Sequence, residues 1–148
     1  MKKIEVLENL VDALKILPGV GPKSALRLTY FLLQRNRSGA KNLSEKISDA
    51  LEQLMHCELC NNFSEEPKCS ICLSGKRDVN TICIVEMPTD LLMLEETHSY
   101  NGLYFILMGR LSPLDGVGPN DIHLGKLINR IKNSNIKELI LATNFTVE

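Results

Sequence analysis

Cys57-Glu-Leu-Cys60, eight further residues, then Cys69-Ser-Ile-Cys72: these sixteen positions decide how the chain is organised. Two C-x-x-C knuckles at this separation bring four thiolates into reach of one ion. Zinc suits four sulfurs in a tetrahedron and adds no redox chemistry of its own. The ligand set is complete, so the site reads as structural, with no open position for catalysis. Buried free thiols do not come as paired knuckles. Disulfides are disfavoured in a chain without a secretory signal. Cys83, in the apolar run Thr81-Ile-Cys-Ile-Val85, reads as strand core. His56 abuts the knuckle but is surplus to four ligands, and reads as a surface residue or one lying behind them.

The first knuckle follows a helical pattern and the second precedes a strand pattern, so the ion is expected to clamp the joint between two different halves. The sequence has 148 residues, enough for one modest core or two small units. Its hydrophobic fraction of 44% and charged fraction of 24% are ordinary for a globular protein. A net charge of −1 gives no global attraction to nucleic acid, so any such attraction must be local. No apolar run reaches the ~20 residues of a membrane span. The start, Met1-Lys-Lys-Ile-Glu-Val, lacks a signal-peptide pattern, so a reducing, cytoplasmic location is expected.

Toward the N-terminus, Val6, Leu7, Leu10, Val11, Leu14 and Leu17 recur at helical spacing and predict an amphipathic helix over about residues 4–16. Pro18-Gly19-Val20-Gly21 ends it, and Pro22 suits the first turn of a second helix. Asn42 with Glu45 predicts a capping box, opening a third helix that runs to Cys57. Between the first two helices, Leu17-Pro-Gly-Val-Gly-Pro-Lys-Ser-Ala25 resembles a helix-hairpin-helix, a motif that holds DNA by its backbone. Gly19 and Gly21 permit close approach of a phosphate. The N–H groups opening the second helix face that anion. Lys23 and Arg27, four apart, share one face. From Pro22 to Lys41 there are basic residues at 23, 27, 35, 37 and 41, and no acidic one. A dinucleotide loop is excluded because Gly19-Val-Gly21 follows a helix and lacks a third glycine. A Walker loop is excluded by Pro22, and a plain helical turn with a solvated basic face remains the alternative.

Toward the C-terminus the period changes. Apolar strands are predicted at Thr81–Val85, Tyr104–Met108 and Glu138–Thr143. They alternate with helices over Asp90–Thr97, capped by Thr89, and around Leu124–Ile131. Fully apolar strands in this order predict a parallel α/β sheet, whose ligands sit beyond the strands' carboxyl ends. Glu86 and Asn144 fall at two such ends. The arrangement resembles a Toprim domain, which carries a glutamate after one strand and D-x-D-x-E after a later one. Glu86 matches the glutamate. Asn144 and Thr146 stand where the two aspartates belong, and Glu148 keeps its place. The resemblance therefore implies a residual magnesium or docking site at Glu86 and Glu148, with weak affinity, and no catalytic residues.

Helix-hairpin-helix, four-cysteine ribbon and Toprim-like unit, in that order, resemble the RecR family of bacterial recombination mediators over essentially the whole chain. Met108-Gly-Arg-Leu-Ser-Pro-Leu-Asp-Gly-Val-Gly-Pro119 and Leu141-Ala-Thr-Asn-Phe-Thr-Val-Glu148 look like that family's own signatures. The fold class expected is α+β in several units: a helix-hairpin-helix domain over 1–55, a zinc ribbon over 56–76, and a partial Toprim-like domain over 77–148. In the family a glycine and a further stretch of chain follow the position of Glu148, so a truncated form is expected. The resemblance implies a non-enzymatic protein that binds single- and double-stranded DNA. It implies action with RecO and RecF in loading recombinase at gaps, assembly into a ring-shaped homo-oligomer, and no membrane partner. Two other classes fit less of the sequence: a catalytic Toprim fragment (primase, nuclease or topoisomerase), and a zinc-ribbon DNA adaptor with no recombination role.

Overall fold

The computed structural model describes residues 4–144. Thr146 and Glu148 lie outside the described residues. The chain divides into two compact units, one up to Glu52 and one from Gln53 onward.

The first unit is helical: α1 (Glu5–Leu14), α2 (Pro22–Gln34) and α3 (Arg37–Gln53). α1 and α2 form as their apolar periodicity and Pro22 predict. α3 begins five residues before the predicted capping box, so Asn42 is interior to the helix. The true cap is Asn36, whose Oδ1 accepts from the Gly39 N–H at 3.0 Å. An Asn side chain three residues ahead of that donor meets one of the helix's orphan N–H groups. Only Ala25 and Thr29 are buried in the three helices. Val6, Ile16 and Leu51 are 80% exposed or more.

The second unit opens with a two-stranded antiparallel ribbon, β1 (Met55–His56) with β2 (Phe63–Ser64), and one short turn of helix, α4 (Ser70–Leu73). It continues as β3 (Asp78–Val85), α5 (Pro88–Glu96), β4 (Gly102–Ile106), α6 (Leu124–Lys132) and β5 (Glu138–Ala142). The three long strands form a parallel sheet in the order β4-β3-β5. α5 starts two residues before the predicted Asp90: Pro88 takes its first position, and the cap is an Asp90 Oδ2 that accepts from the Met87 N–H at 2.8 Å, not Thr89. β4 starts two residues early, at Gly102, where a Cβ would lie 2.2 Å from the Tyr100 hydroxyl oxygen.

Side chains of β3 alternate between two cores, as a period of two dictates. Ile82 and Ile84 face Leu103, Phe105, Ile122 and Leu127. Cys83 and Val85 face Leu91, Tyr104 and Ile106, together with Cys57, Cys60 and Cys69. The knuckle cysteines are thus part of the sheet's own core. A charged lock closes the same side. Arg77 pairs with both oxygens of Glu95 and donates to Gly102 O at 3.0 Å, and Tyr104 Oη donates to Glu95 Oε1 at 2.6 Å. Desolvation pushes the Glu95 carboxyl up, but the hydrogen bonds from Arg77 and Tyr104 outweigh it and hold its pKa down.

Candidate metal centre and nucleic-acid interface

Cys57, Cys60, Cys69 and Cys72 come together with their sulfurs all within 4.8 Å of one another. Cys60 and Cys69 sulfurs are 3.5 Å apart, and no disulfide joins them. Four thiolates at ~2.3 Å around a tetrahedral zinc ion would lie about 3.8 Å apart. The cluster therefore fits that ion in number, chemistry and spacing. Three of the four side chains are buried, and Cys72 is half-buried. The Cys69 N–H donates to Cys57 Sγ at 3.3 Å. The thiols also perturb one another. Hydrogen bonding with Cys69 pushes Cys60 up, and the same contact pulls Cys69 down. Four negative sulfurs at this distance repel unless a cation sits among them.

Local structure around the first knuckle explains why the sulfurs converge. Asn61, directly after Cys60, has φ +66°, a left-handed conformation that Asn tolerates better than most residues. Its N–H donates to Cys57 O at 3.0 Å and closes the turn. Its buried side chain then ties the turn to the sheet: Nδ2 donates to Ile106 O at 3.0 Å, while the Ile106 N–H donates to Cys60 O at 2.8 Å. Sequence reasoning passed over Asn61. The available signal was an Asn immediately after a C-x-x-C pair, where a left-handed residue completes the knuckle. His56 is exposed, stacks on Phe63 at 5.1 Å and pairs through Nδ1 with Asn61 O at 3.1 Å. It lies outside the four-ligand group.

In the helical unit, Gly19 has φ +78°, so the hairpin turn requires glycine there. Gly21 is extended and opens α2 without a side-chain cap, and a Cβ added there would meet open space. No acidic residue sits in the first turn of α2. Lys23 and Arg27 are exposed, and among the described residues neither has an acidic partner within ion-pair distance. The structure thus brings Gly19, Gly21, Lys23 and Arg27 onto one exposed hairpin.

Glu86 follows β3 and is 7% exposed. It meets Asn144, two residues past β5: Oε1 accepts from the Asn144 N–H at 3.0 Å and Oε2 from Asn144 Nδ2 at 2.8 Å. Both carboxylate oxygens are thus engaged by one neutral residue. Arg110, Thr143 and Ile122 line the small cleft around them.

Comparison with known proteins matches all three regions. A family profile described as "RecR, helix-hairpin-helix" covers residues 7–51, the RecR four-cysteine zinc-finger domain profile covers 54–74, and a Toprim domain profile covers 80–148. The Recombination protein RecR of Chromobacterium violaceum is 52% identical over the whole of this chain, which spans 75% of that relative. The chain belongs to the RecR family. Within a RecR chain the observed cluster coincides with the family's four-cysteine zinc-finger region, and the hairpin with its helix-hairpin-helix. The Glu86–Asn144 pair lies in the Toprim region. No helix among the described residues is long and apolar enough to cross a membrane.

Proposed function

We propose that this protein is a non-enzymatic, DNA-binding recombination mediator. On this reading it works with RecO and RecF to place recombinase on single-stranded gaps. The observation that carries the recombination role is the 52% identity, over the full chain, to a protein named for recombination. DNA contact is assigned to the hairpin: Gly19, Gly21, Lys23 and Arg27 offer uncapped N–H groups and unpaired cations to a phosphate backbone. Cys57, Cys60, Cys69 and Cys72 hold zinc, which supplies the charge that lets four thiolates share one core. The division into a helix-hairpin-helix over 1–55, a ribbon over 56–76 and a Toprim-like unit over 77–148 remains the functional division proposed. Assembly of several copies into a ring-shaped homo-oligomer is part of this reading, and exposed Val6, Ile16 and Leu51 are apolar surface that such an assembly could cover.

Replacing Lys23 and Arg27 by Glu tests the hairpin. Affinity is expected to fall for single- and double-stranded DNA of any sequence. The slope of log K against log salt should flatten by about one unit per phosphate contact removed. Fluorescence anisotropy across a salt series measures both, and an unchanged slope would move the interface elsewhere.

The Toprim-like unit is assigned a docking role without phosphoryl transfer. Clustered carboxylates are needed to hold magnesium at a scissile phosphate, and Asn144 offers Glu86 two N–H donors in place of a negative charge. Any magnesium held at Glu86, with Glu148 as a second carboxylate, is weak on this reading. Asn144→Asp is expected to bind Mn²⁺ or Mg²⁺ at least about tenfold more tightly than the natural chain by calorimetry, because two carboxylates this close need a cation between them. Supercoiled and single-stranded DNA incubated with the natural protein and either metal should stay intact. Nicking, relaxation or primer synthesis that disappears in Glu86→Gln would favour the catalytic reading instead.

A further inference from the structure

Two cations outside the zinc-finger region reach back to the first knuckle from α6. Lys126 Nζ donates to Cys57 O at 2.8 Å and approaches Asn61 Oδ1 at 3.4 Å. Arg130 Nη1 donates to Leu59 O and to Tyr104 O, both at 2.8 Å. The two residues are four apart and so lie on one face of the helix. Leu127, between them in sequence, is buried in the core of the sheet. Neither cation has a carboxylate partner within ion-pair distance among the described residues, although Glu58 rims the same groove. Their positive ends are spent on neutral acceptors: Cys57 O and Leu59 O in the turn that carries two of the four sulfurs, and Tyr104 O on the adjoining β4.

Four thiolates around one zinc ion carry a net charge of about −2 in a buried site. That charge needs compensation nearby, because its solvation by water has been removed. Lys126 and Arg130 carry two positive charges to the knuckle backbone while holding the turn in place. We propose that Lys126 and Arg130 are positioning residues of the metal centre, setting the orientation of the Cys57–Cys60 knuckle and offsetting the charge of its thiolates. The inference rests on the four cysteines holding zinc. Partners that orient metal ligands are typically worth 10–100-fold in metal affinity.

The test uses the full 148-residue chain. Zinc affinity is measured by competition with a chromogenic chelator for Lys126→Met, Arg130→Met and, as calibrant, Leu127→Ala. The calibrant destabilises the same helix without touching the knuckle, and so measures the affinity lost through general loosening. Each Met variant is expected to lose at least about tenfold more zinc affinity than that calibration accounts for. Substituting Co²⁺ gives a second readout. The sulfur-to-cobalt charge-transfer band should shift in the Met variants and stay in place in Leu127→Ala. If the Met variants do not fold, Lys126→Gln keeps a donor for Cys57 O, removes the charge, and carries the same spectroscopic expectation. Affinity losses within the calibration, or cobalt spectra matching the natural chain, would overturn the proposal. A natural chain that binds no zinc would instead sink the zinc reading on which it rests.

Discussion

Removing zinc is expected to unfold the α/β sheet along with the knuckles. Cys57, Cys60 and Cys69 share one core with Cys83, Val85, Leu91, Tyr104 and Ile106. The ladder of β4 continues into the knuckle through the Ile106 N–H on Cys60 O. A structural zinc site contributes roughly 10–16 kcal/mol of apparent binding free energy, which is comparable with the whole stability of a domain this size. Without the ion, thiolates at these separations repel or take up protons, and the core they line loses its fit. The natural protein should carry one zinc per chain by metal analysis. Treatment with a strong chelator, or Cys72→Ser, should collapse amide-exchange protection across Ile82–Val85 and lower the thermal midpoint steeply. Full protection of β3 in a zinc-free sample would contradict this.

Asn61→Ala is expected to destabilise the protein by about 2–5 kcal/mol without removing a ligand. The substitution leaves Ile106 O, buried between strand and knuckle, without its side-chain donor, which costs about 1–3 kcal/mol. It also forces a Cβ-bearing residue without a compensating polar group into the left-handed region, adding roughly 1–2 kcal/mol. Asn61→Gly separates the two effects. It keeps the backbone relaxed and loses only the amide, so it should recover about 1 kcal/mol relative to alanine. Denaturant titration of the zinc-loaded protein measures all three. Equal stability of the Ala and Gly variants would rule out the backbone contribution.

The sequence spoke most clearly where chemistry dictates spacing. Two C-x-x-C pairs have few other uses, and the cysteines meet as their pattern predicts. Apolar periodicity placed α1, α2, α6 and the parallel strands, because burial on one or two faces imposes it. Helix starts were less legible. Asn36 lies in the polar run Gln34-Arg-Asn-Arg-Ser-Gly39, where no apolar rhythm marks the first turn, while Asn42 and Glu45 mimic a cap inside the helix. Least legible were bonds between residues far apart in sequence. Asn61 finds Ile106, Arg130 finds Leu59, and Glu86 finds Asn144, all through the fold of the sheet. The first two pairs have no local signature. For the third, both strand ends were visible, but not that one amide would occupy both oxygens of the carboxylate.

The way the ribbon is fastened limits how it can be transplanted. A free-standing zinc ribbon is often treated as a cassette that can be cut out and joined to another scaffold. Here the carbonyls of Cys57, Leu59 and Cys60 each receive a donor from α6 or β4. A peptide ending before Arg77 would retain all four sulfurs yet leave Leu59 O and Cys60 O to water and Cys57 O with only the Asn61 N–H of its own turn, so its knuckle would lose partners that hold its shape. Chimeras that exchange metal-binding segments among relatives should therefore carry β4 and α6 with the cysteines as one inherited block.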